Sequence, residues 1–359
     1  MSERETRETY VVADIGGTSL RIGRMAPGGS HAADVVRAAT EGIGLYPQEN
    51  ALTLQRRVMD QLAERIGAYA AAINGPPPSA VGLSFAGPIT QDGTALAAPT
   101  IWGAAGGEAP GLRVGEELAR RLGIEVVAAN DITAAAWRYA ETESEPFSLY
   151  TVSSGVGNKV FYNGRVLLGP GANGGELGHW QVDRSPQAPP CDCGGRGHLG
   201  AISSGRGMLA AARRAAVADP SRFRASSLGA TVDGQPERIT NEELAKAVRI
   251  DDAFATGVVR EALRPLASAV SMLLTAIGVR RHLFIGGFAL AVGARFTELL
   301  GDELVEIGCF GLSEERIRAM LRLGFDDDDH SLIGMGRLLD QRDDATGHGE
   351  EIDAYLDRR

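Results

Sequence analysis

Between Gly174 and Gly200 the chain reads GGELGHWQVDRSPQAPPCDCGGRGHLG, which sets Glu176 and His179 three residues apart and follows them with Cys191, Cys193 and His198. Two imidazoles and two thiols in one short segment suit a borderline-soft ion held by protein ligands alone, a structural zinc knot beside a substrate pocket. Glu176 and His179 would share one face if the stretch is helical. Two glycine turns carry the other chemistry: Asp14-Ile-Gly16-Gly17-Thr18-Ser-Leu-Arg21 and Ser153-Ser154-Gly155-Val-Gly157-Asn-Lys159. Glycine turns that end a strand aim backbone N–H groups at one point, which suits phosphate oxygens. Asp14 could hold a water of Mg²⁺, Arg21 or Lys159 could neutralise phosphate, and Ser154 could donate to it. No Gly-x-x-x-x-Gly-Lys-Ser/Thr run is present, and Gly155-Val-Gly157 lacks the third glycine of a dinucleotide fingerprint. Lys159 and Lys246 are the only lysines among many arginines. Lys159 is therefore either a plain surface lysine or a phosphate contact. Asp131, at a strand end opening into a helix, is either a helix N-cap or a general base.

The elements that must position these groups alternate between strand and helix. Tyr10–Ala13 and Leu20–Met25 flank the first glycine turn, and Leu149–Ser154 and Lys159–Tyr162 flank the second. Two such hairpins, about 140 residues apart, suggest a duplicated architecture facing a shared cleft. Glu49–Ala72 has a helical pattern ending at Asn74-Gly-Pro-Pro-Pro, Val81–Phe85 reads as a strand, and Val114–Leu122 as a helix closed by Gly123. Val126–Ala129 is a strand leading to Asn130 and Asp131. Asn241–Val279 is helical and alanine-rich, and His282–Ile285 is a strand before Gly286-Gly287. Asp326–Asp329 reads as a solvated acidic loop, and the tail after Asp340 as polar, frayed or a short helix. The alternation predicts an α/β class with mixed sheets.

With 359 residues the chain can form two lobes with their own cores. A formal net charge of -10 predicts no nucleic-acid or membrane-surface partner. The charged start MSERETRETY lacks the apolar core of a secretion signal, and no apolar run approaches the roughly 20 residues of a membrane span. Three cysteines make a poor disulfide framework, with Cys191 and Cys193 too close for an ordinary bridge, which predicts the cytoplasm. Cys309 reads as a buried thiol.

Most of the chain resembles the ROK family of sugar kinases, a family that also contains sugar-sensing repressors. Asp14-Ile-Gly-Gly-Thr-Ser-Leu-Arg21 resembles its first phosphate motif, Ser84-Phe-Ala-Gly-Pro88 its Gly-x-Pro-Gly-Pro turn, and Asn130-Asp131 its catalytic pair. Ser153-Ser-Gly-Val-Gly157 resembles its second phosphate loop, Glu176-Leu-Gly-His179 its Glu-x-Gly-His motif, Cys191-Asp-Cys-Gly-Gly-Arg-Gly-His198 its zinc signature, and Ile285-Gly-Gly287 its adenosine-side turn. The resemblance implies an actin-like fold of two RNase-H-like lobes with ATP and sugar in the cleft between them. The expected division is a small lobe of residues 1–127 with 338–359, and a large lobe of 128–337 carrying the zinc loop 174–200. It further implies ATP and Mg²⁺, a homodimer, and a sugar or polyol acceptor. Asp131 would be the base, with Asn130, Thr100, Glu176 and His179 at the substrate. Asp14, Gly16, Gly17, Thr18, Arg21, Ser154, Gly155, Gly157, Lys159, Gly286 and Gly287 would bind the nucleotide. The family's zinc ligands are one His and three Cys; here His179, Cys191, Cys193 and His198 form a His₂Cys₂ set, still suited to zinc.

The departures bear on the substrate. Where the family has a Glu that binds the sugar near its anomeric end, two residues past the last zinc ligand, this chain has Gly200. A lost acceptor leaves a hydroxyl poorly partnered, at about 1–3 kcal/mol. Thr100 stands in place of a usual Asn, Ser153, Asn158 and Lys159 replace glycines, and Phe288 replaces a glycine after Gly287, a change that would reshape the adenine side. The expected substrate is therefore sugar-like but not glucose. The C7-cyclitol kinase branch of validamycin- and acarbose-type antibiotic pathways fits: these enzymes phosphorylate the hydroxymethyl of valienol- or valiolone-type carbocycles, which have no anomeric centre. The alternatives are a glucokinase or other hexose or N-acylhexosamine kinase, with Ser203, Ser204 or Arg206 compensating for Gly200; a sugar-sensing regulator; and an inactive binding module. Against the regulator stand the 13 residues before Asp14, too few for a helix-turn-helix, and the presence of Asp14, Arg21 and Asp131.

Overall fold

A computed structural model of the protein describes residues 8–90, 92–103, 110–169, 171 and 174–347. The chain divides into two compact units, Met1–Thr142 with Leu168–Asn173 and Asp327–Arg359, and Glu143–Leu167 with Gly174–Asp326. The divisions therefore fall after Thr142 and before Asp327, not at 127/128 and 337/338. The cause is packing: helix Asp131–Tyr139 lies along helix His330–Gly347, so both stay with the first unit.

The first unit is built on a five-stranded sheet in the spatial order Ala33–Ala39, Ser19–Met25, Tyr10–Ile15, Ala80–Phe85, Glu125–Asn130. The first three strands pair antiparallel and the last two join in parallel. Successive side chains of a strand point to opposite faces. Val11, Ala13 and Ile15 pack against helices Ala51–Ala72 and Val114–Leu122, with Leu54, Val58, Leu62 and Leu118. Tyr10 and Val12 face the other way, onto Leu332, Met335 and Leu339 of the C-terminal helix. Parallel strands covered on both faces read as continuous apolar runs, as Tyr10–Ala13 does, while Val81–Phe85 is buried throughout but carries Ser84. Asn50 caps the first helix by accepting from Thr53 N, and Gly123 closes the second in the left-handed region at φ 68°.

The second unit repeats the arrangement. Its sheet runs Arg165–Val166, Val156–Tyr162, Phe147–Val152, Arg281–Ile285, Leu321–Leu323, again three antiparallel strands followed by two parallel ones. The two sequence hairpins thus head two copies of one topology. The helical stretch Asn241–Val279 is interrupted: helices Asn241–Arg249 and Ala253–Ile277 are separated by Asp251 at φ 57° and by Asp252, which caps the second through Ala255 N at 2.8 Å. The core gathers Tyr150, Phe284, Phe296, Leu263 and Phe288. No described helix is long and apolar enough to cross a membrane.

Candidate functional site

In the first unit the candidate residues collect at the carboxyl ends of three adjacent parallel strands, where α/β sheets commonly hold ligands. Ile15, Phe85 and Asn130 are in register across Tyr10–Ile15, Ala80–Phe85 and Glu125–Asn130. The loop Gly16–Thr18 closes the first hairpin. Gly17 must be glycine, because a β-carbon there would lie 2.6 Å from Thr100 O. This contact brings Thr100, an exposed turn residue, against the first glycine turn.

Asn130 and Asp131 divide their labour in a way the sequence did not indicate. Asn130, not Asp131, caps helix Asp131–Tyr139: its Oδ1 accepts from Ile132 N and Thr133 N, both at 3.1 Å. Its Nδ2 donates to Gly87 O at 3.0 Å and to Asp131 Oδ1 at 2.7 Å. Both ends of the amide are engaged within the protein, so Asn130 fixes the Asp131 carboxylate at the first turn of the helix.

Asp14 and Arg21 face one another across the first hairpin. Asp14 Oδ2 accepts from Arg21 Nη2 at 2.7 Å, and Asp14 Oδ1 from Ser84 Oγ at 2.6 Å. Arg21 is 6% exposed, and its Nη1 donates to the carbonyl of Asp328 and lies 3.3 Å from Asp329 Oδ1. The expectation that Arg21 neutralises phosphate is corrected to this extent: its guanidinium is already held by carboxylates. The acidic loop is also more than solvated. Asp327 pairs with Arg138, Asp328 with Arg37, and Asp329 with Arg21. Arg138 draws the Asp327 carboxyl down to about 2. Sequence reading missed Ser84 as a partner of Asp14 and the acidic loop as a partner of Arg21, because both depend on strand register and on chain return over roughly 300 residues.

In the second unit the loop Ser153–Gly155 leads into strand Val156–Tyr162. Ser153 and Ser154 are exposed, and a β-carbon at Gly155 would meet nothing within 4 Å. Gly286, at φ 95°, lies so close to the strand end before this loop that a β-carbon would be 2.7 Å from Thr151 Oγ1, and Gly287 sits near Ser153 Oγ. The two glycine turns, distant in sequence, are thus adjacent. Phe288, expected to reshape an adenine side, is buried in the core beside Gly205.

Lys159 does not stand free beside the loop. It is 2% exposed, and its Nζ donates to Glu176 Oε1 and to Gly174 O, each at 2.8 Å. Glu176 precedes a single 3-10 turn, Leu177–His179, so the expected α-helical face is replaced by one tight turn. Gly178 in that turn is pressed onto the strand: a β-carbon would lie 1.9 Å from Val156 O.

The turn leads His179 towards the cysteine loop. Cys191 Sγ lies 3.8 Å from His179 Nδ1, Cys193 Sγ lies 3.2 Å from His198 Nδ1, and one ligand atom from each of the four residues falls within 4.8 Å of the others. Bonds of about 2.0–2.3 Å at tetrahedral angles separate ligand atoms by about 3.5 Å, so this donor set fits zinc. Gly197, at φ 66°, lets the loop turn back on Asp183, whose carbonyl a β-carbon would approach at 1.8 Å. Helix Leu199–Ser203 begins directly after His198 and carries Gly200 to within contact of Gly178 O, 3.1 Å from where a β-carbon would lie.

Two five-stranded sheets of one mixed topology, each with glycine turns at strand ends, define an actin-like fold of two RNase-H-like units. The solved structures agree: a ROK family glucokinase from Streptomyces griseus, in complex with glucose and AMPPNP, superposes with a TM-score of 0.70 at 22% identity over 92% of this chain and 98% of that one. The chain belongs to the ROK family, whose sequence profile matches residues 28–299. It is 58% identical over 336 residues to the C(7)-cyclitol 7-kinase of Streptomyces hygroscopicus subsp. jinggangensis (strain 5008), covering 92% of this chain and 94% of that one. The C(7)-cyclitol 7-kinase of Streptomyces hygroscopicus subsp. limoneus is 57% identical with the same coverage.

Proposed function

We propose that this protein is an ATP-dependent kinase that phosphorylates the exocyclic hydroxymethyl of a C7-cyclitol of the valienol or valiolone type. The observation that carries the reading is an identity above half, along nearly the whole chain, with two C(7)-cyclitol 7-kinases. A hexose kinase fits less well, because Gly200 removes the carboxylate that would read an anomeric hydroxyl.

In this reading Asp131 accepts the proton of the hydroxymethyl as its oxygen bonds to the γ-phosphorus and the bond to ADP breaks. Asn130 holds the Asp131 carboxylate rather than the substrate. Glu176, with its side chain half exposed, accepts hydroxyls of the carbocycle, and Thr100, which lies against Gly17, is a further candidate for substrate contact. The backbone of Gly16–Thr18, Ser154–Gly157 and Gly286–Gly287 would cradle the nucleotide. Asp14 would hold a water of Mg²⁺, with Ser84 and Arg21 fixing the orientation of its carboxylate. Bound Mg²⁺ would supply charge neutralisation at the transferring phosphoryl group. Zinc on His179, Cys191, Cys193 and His198 would staple the loop that delivers Glu176 and Gly200 to the substrate. The reading includes a homodimer in the cytoplasm, where the three unpaired cysteines would stay reduced.

Purified protein with ATP and Mg²⁺ should convert valienol to a phosphomonoester on the hydroxymethyl oxygen, detected by phosphorus NMR, and should turn over glucose and N-acetylmannosamine far more slowly. Faster turnover of glucose would overturn the cyclitol assignment. Asp131→Ala should abolish turnover while nucleotide binding persists; unchanged turnover would remove Asp131 as the base.

A further inference from the structure

Lys159 is buried on strand Val156–Tyr162, and the segment that carries Glu176 is laid directly over it. Gly175, at φ 69°, leaves so little room that a β-carbon would lie 2.3 Å from Asn158 O and 2.8 Å from Lys159 Cδ. Gly178 is pressed equally hard onto Val156 O. Under this cover Lys159 Nζ reaches Glu176 Oε1 and Gly174 O, both at 2.8 Å. The neighbouring residue is locked as well: Asn158, 1% exposed, donates to Ser148 Oγ at 2.7 Å and to Leu149 O at 3.1 Å. The asymmetry of the ion pair is informative. The lysine side chain is 3% exposed and the glutamate side chain 53% exposed. A buried ammonium needs its partners, whereas a half-exposed carboxylate held through one oxygen keeps acceptor capacity on the other.

We propose that Lys159 is a positioning residue that fixes the Glu176 carboxylate for the acceptor, and that it does not contact nucleotide phosphate. The inference rests on the reading of Glu176 as an acceptor-binding group. Of the 36 lysines and arginines only Lys159 and Lys246 are lysine, so retention of lysine here calls for a reason. The space beneath Gly175 supplies one. A straight stem with a compact ammonium suits so tight a cover better than the wider planar fork of arginine. With Oε1 committed to Lys159, Glu176 presents one oxygen in one orientation, so it reads a narrower set of hydroxyls than a freely rotating carboxylate would.

The test is steady-state kinetics with a C7-cyclitol acceptor and ATP·Mg²⁺ as varied substrates. Lys159→Met should raise the acceptor KM at least tenfold and leave the ATP KM within about twofold, because a loosened carboxylate weakens binding at that site alone. A raised ATP KM with an unchanged acceptor KM would place Lys159 on phosphate and overturn the inference. Should Lys159→Met not fold, the double variant Lys159→Met/Glu176→Gln removes both charges and leaves none buried alone. Its acceptor KM should match that of Glu176→Gln, since Lys159 acts only through Glu176. A double variant worse than Glu176→Gln by a further tenfold would overturn the coupling. An unchanged acceptor KM in Glu176→Gln would remove the underlying reading of Glu176 and this inference with it. A raised KM there, beside an unchanged one in Lys159→Met, would remove the inference alone.

Discussion

Gly334 lies against the carbonyl of Ala134 so closely that a β-carbon at 334 would come within 1.7 Å of the oxygen and 2.5 Å of the carbonyl carbon. Ala134 is on the first turn of helix Asp131–Tyr139, and Ser331, on the same C-terminal helix as Gly334, places its Oγ 3.4 Å from Asp131 O. The helix that presents Asp131 is therefore seated on a glycine some 200 residues away. Gly334→Ala should force the two helices apart by more than ~1 Å, at roughly 1–3 kcal/mol of stability. Displacement of about 1 Å at a catalytic group can cost on the order of 100-fold in rate. The expected result is a lower melting temperature together with a kcat reduced about 100-fold at nearly constant ATP KM. Wild-type kcat in a folded variant would show that Asp131 is positioned independently of this contact.

Gly200 sits in helix Leu199–Ser203 with Gly178 O and Val156 N as its neighbours. The 3.1 Å approach to Gly178 O is tight but can be relieved by a shift of a few tenths of an ångström. Gly200→Glu should therefore fold and restore a carboxylate at the sugar-reading position. Cyclitol KM should rise at least tenfold from crowding and desolvation, and glucose kcat/KM should increase, in keeping with about 1–3 kcal/mol for a hydroxyl that gains or loses its partner. A variant whose ratio of glucose to cyclitol turnover stays unchanged would dissociate Gly200 from specificity.

Metal analysis by plasma mass spectrometry should return one zinc per chain. Cys193→Ser should lose the ion and lower the melting temperature, and strong chelators should do the same to the wild type, because folding of the Gly174–Gly200 loop would be coupled to the metal. Acceptor KM should rise in the metal-free protein before ATP KM does, since Glu176 and Gly200 flank the ligands. A wild-type protein purified without metal, yet fully stable and active, would count against the zinc reading.

Acid should destabilise the protein well above the carboxylate range. Burial holds the His330 imidazole down to about 4, with Arg138 adding to the depression against the opposing carboxylates of Asp327 and Asp328. Its Nδ1 lies 3.1 Å from Tyr139 Oη and 3.2 Å from Arg138 Nη1, while Nε2 is buried without a partner. His282, fully buried with Nε2 on Val279 O at 3.1 Å, is likewise held near 4 by burial. The unfolded chain takes up these protons near 6.5 and the folded one only near 4. Stability is thus fully present above about pH 6.5 and falls as pH drops to about 4, by on the order of 3 kcal/mol for each histidine. Denaturant titrations across that window should reveal the slope, and His330→Gln should flatten it. An equal slope in the variant would exclude His330 as a source.

The sequence determined the chemistry-bearing segments and their order. The glycine turns after Tyr10–Ala13 and Leu149–Val152, the Asn130–Asp131 pair and the Cys/His loop were legible because each is local: turn chemistry, strand patterning and ligand spacing act within a few residues. The left-handed Gly123, the helix from Val114 to Leu122 and the repeated hairpins were legible for the same reason. The helical stretch from Asn241 was read through its break, because Asp252 is a cap only once Ala255 folds back onto it.

What only the tertiary structure decided was the partner of each charge. Arg21, Lys159 and the acidic loop looked like groups available to ligand or solvent. Folding instead commits Arg21 to Asp14 and the 327–329 loop, and Lys159 to Glu176. A charge's partner is set by which strands lie in register and where a distant segment returns, and neither is encoded within a residue's own neighbourhood. The sequence therefore determined which groups this protein carries and the family to which it belongs. The structure decided which of those groups remain free to meet a substrate, because the desolvation of a buried ion compels it to find its counter-charge inside the protein first.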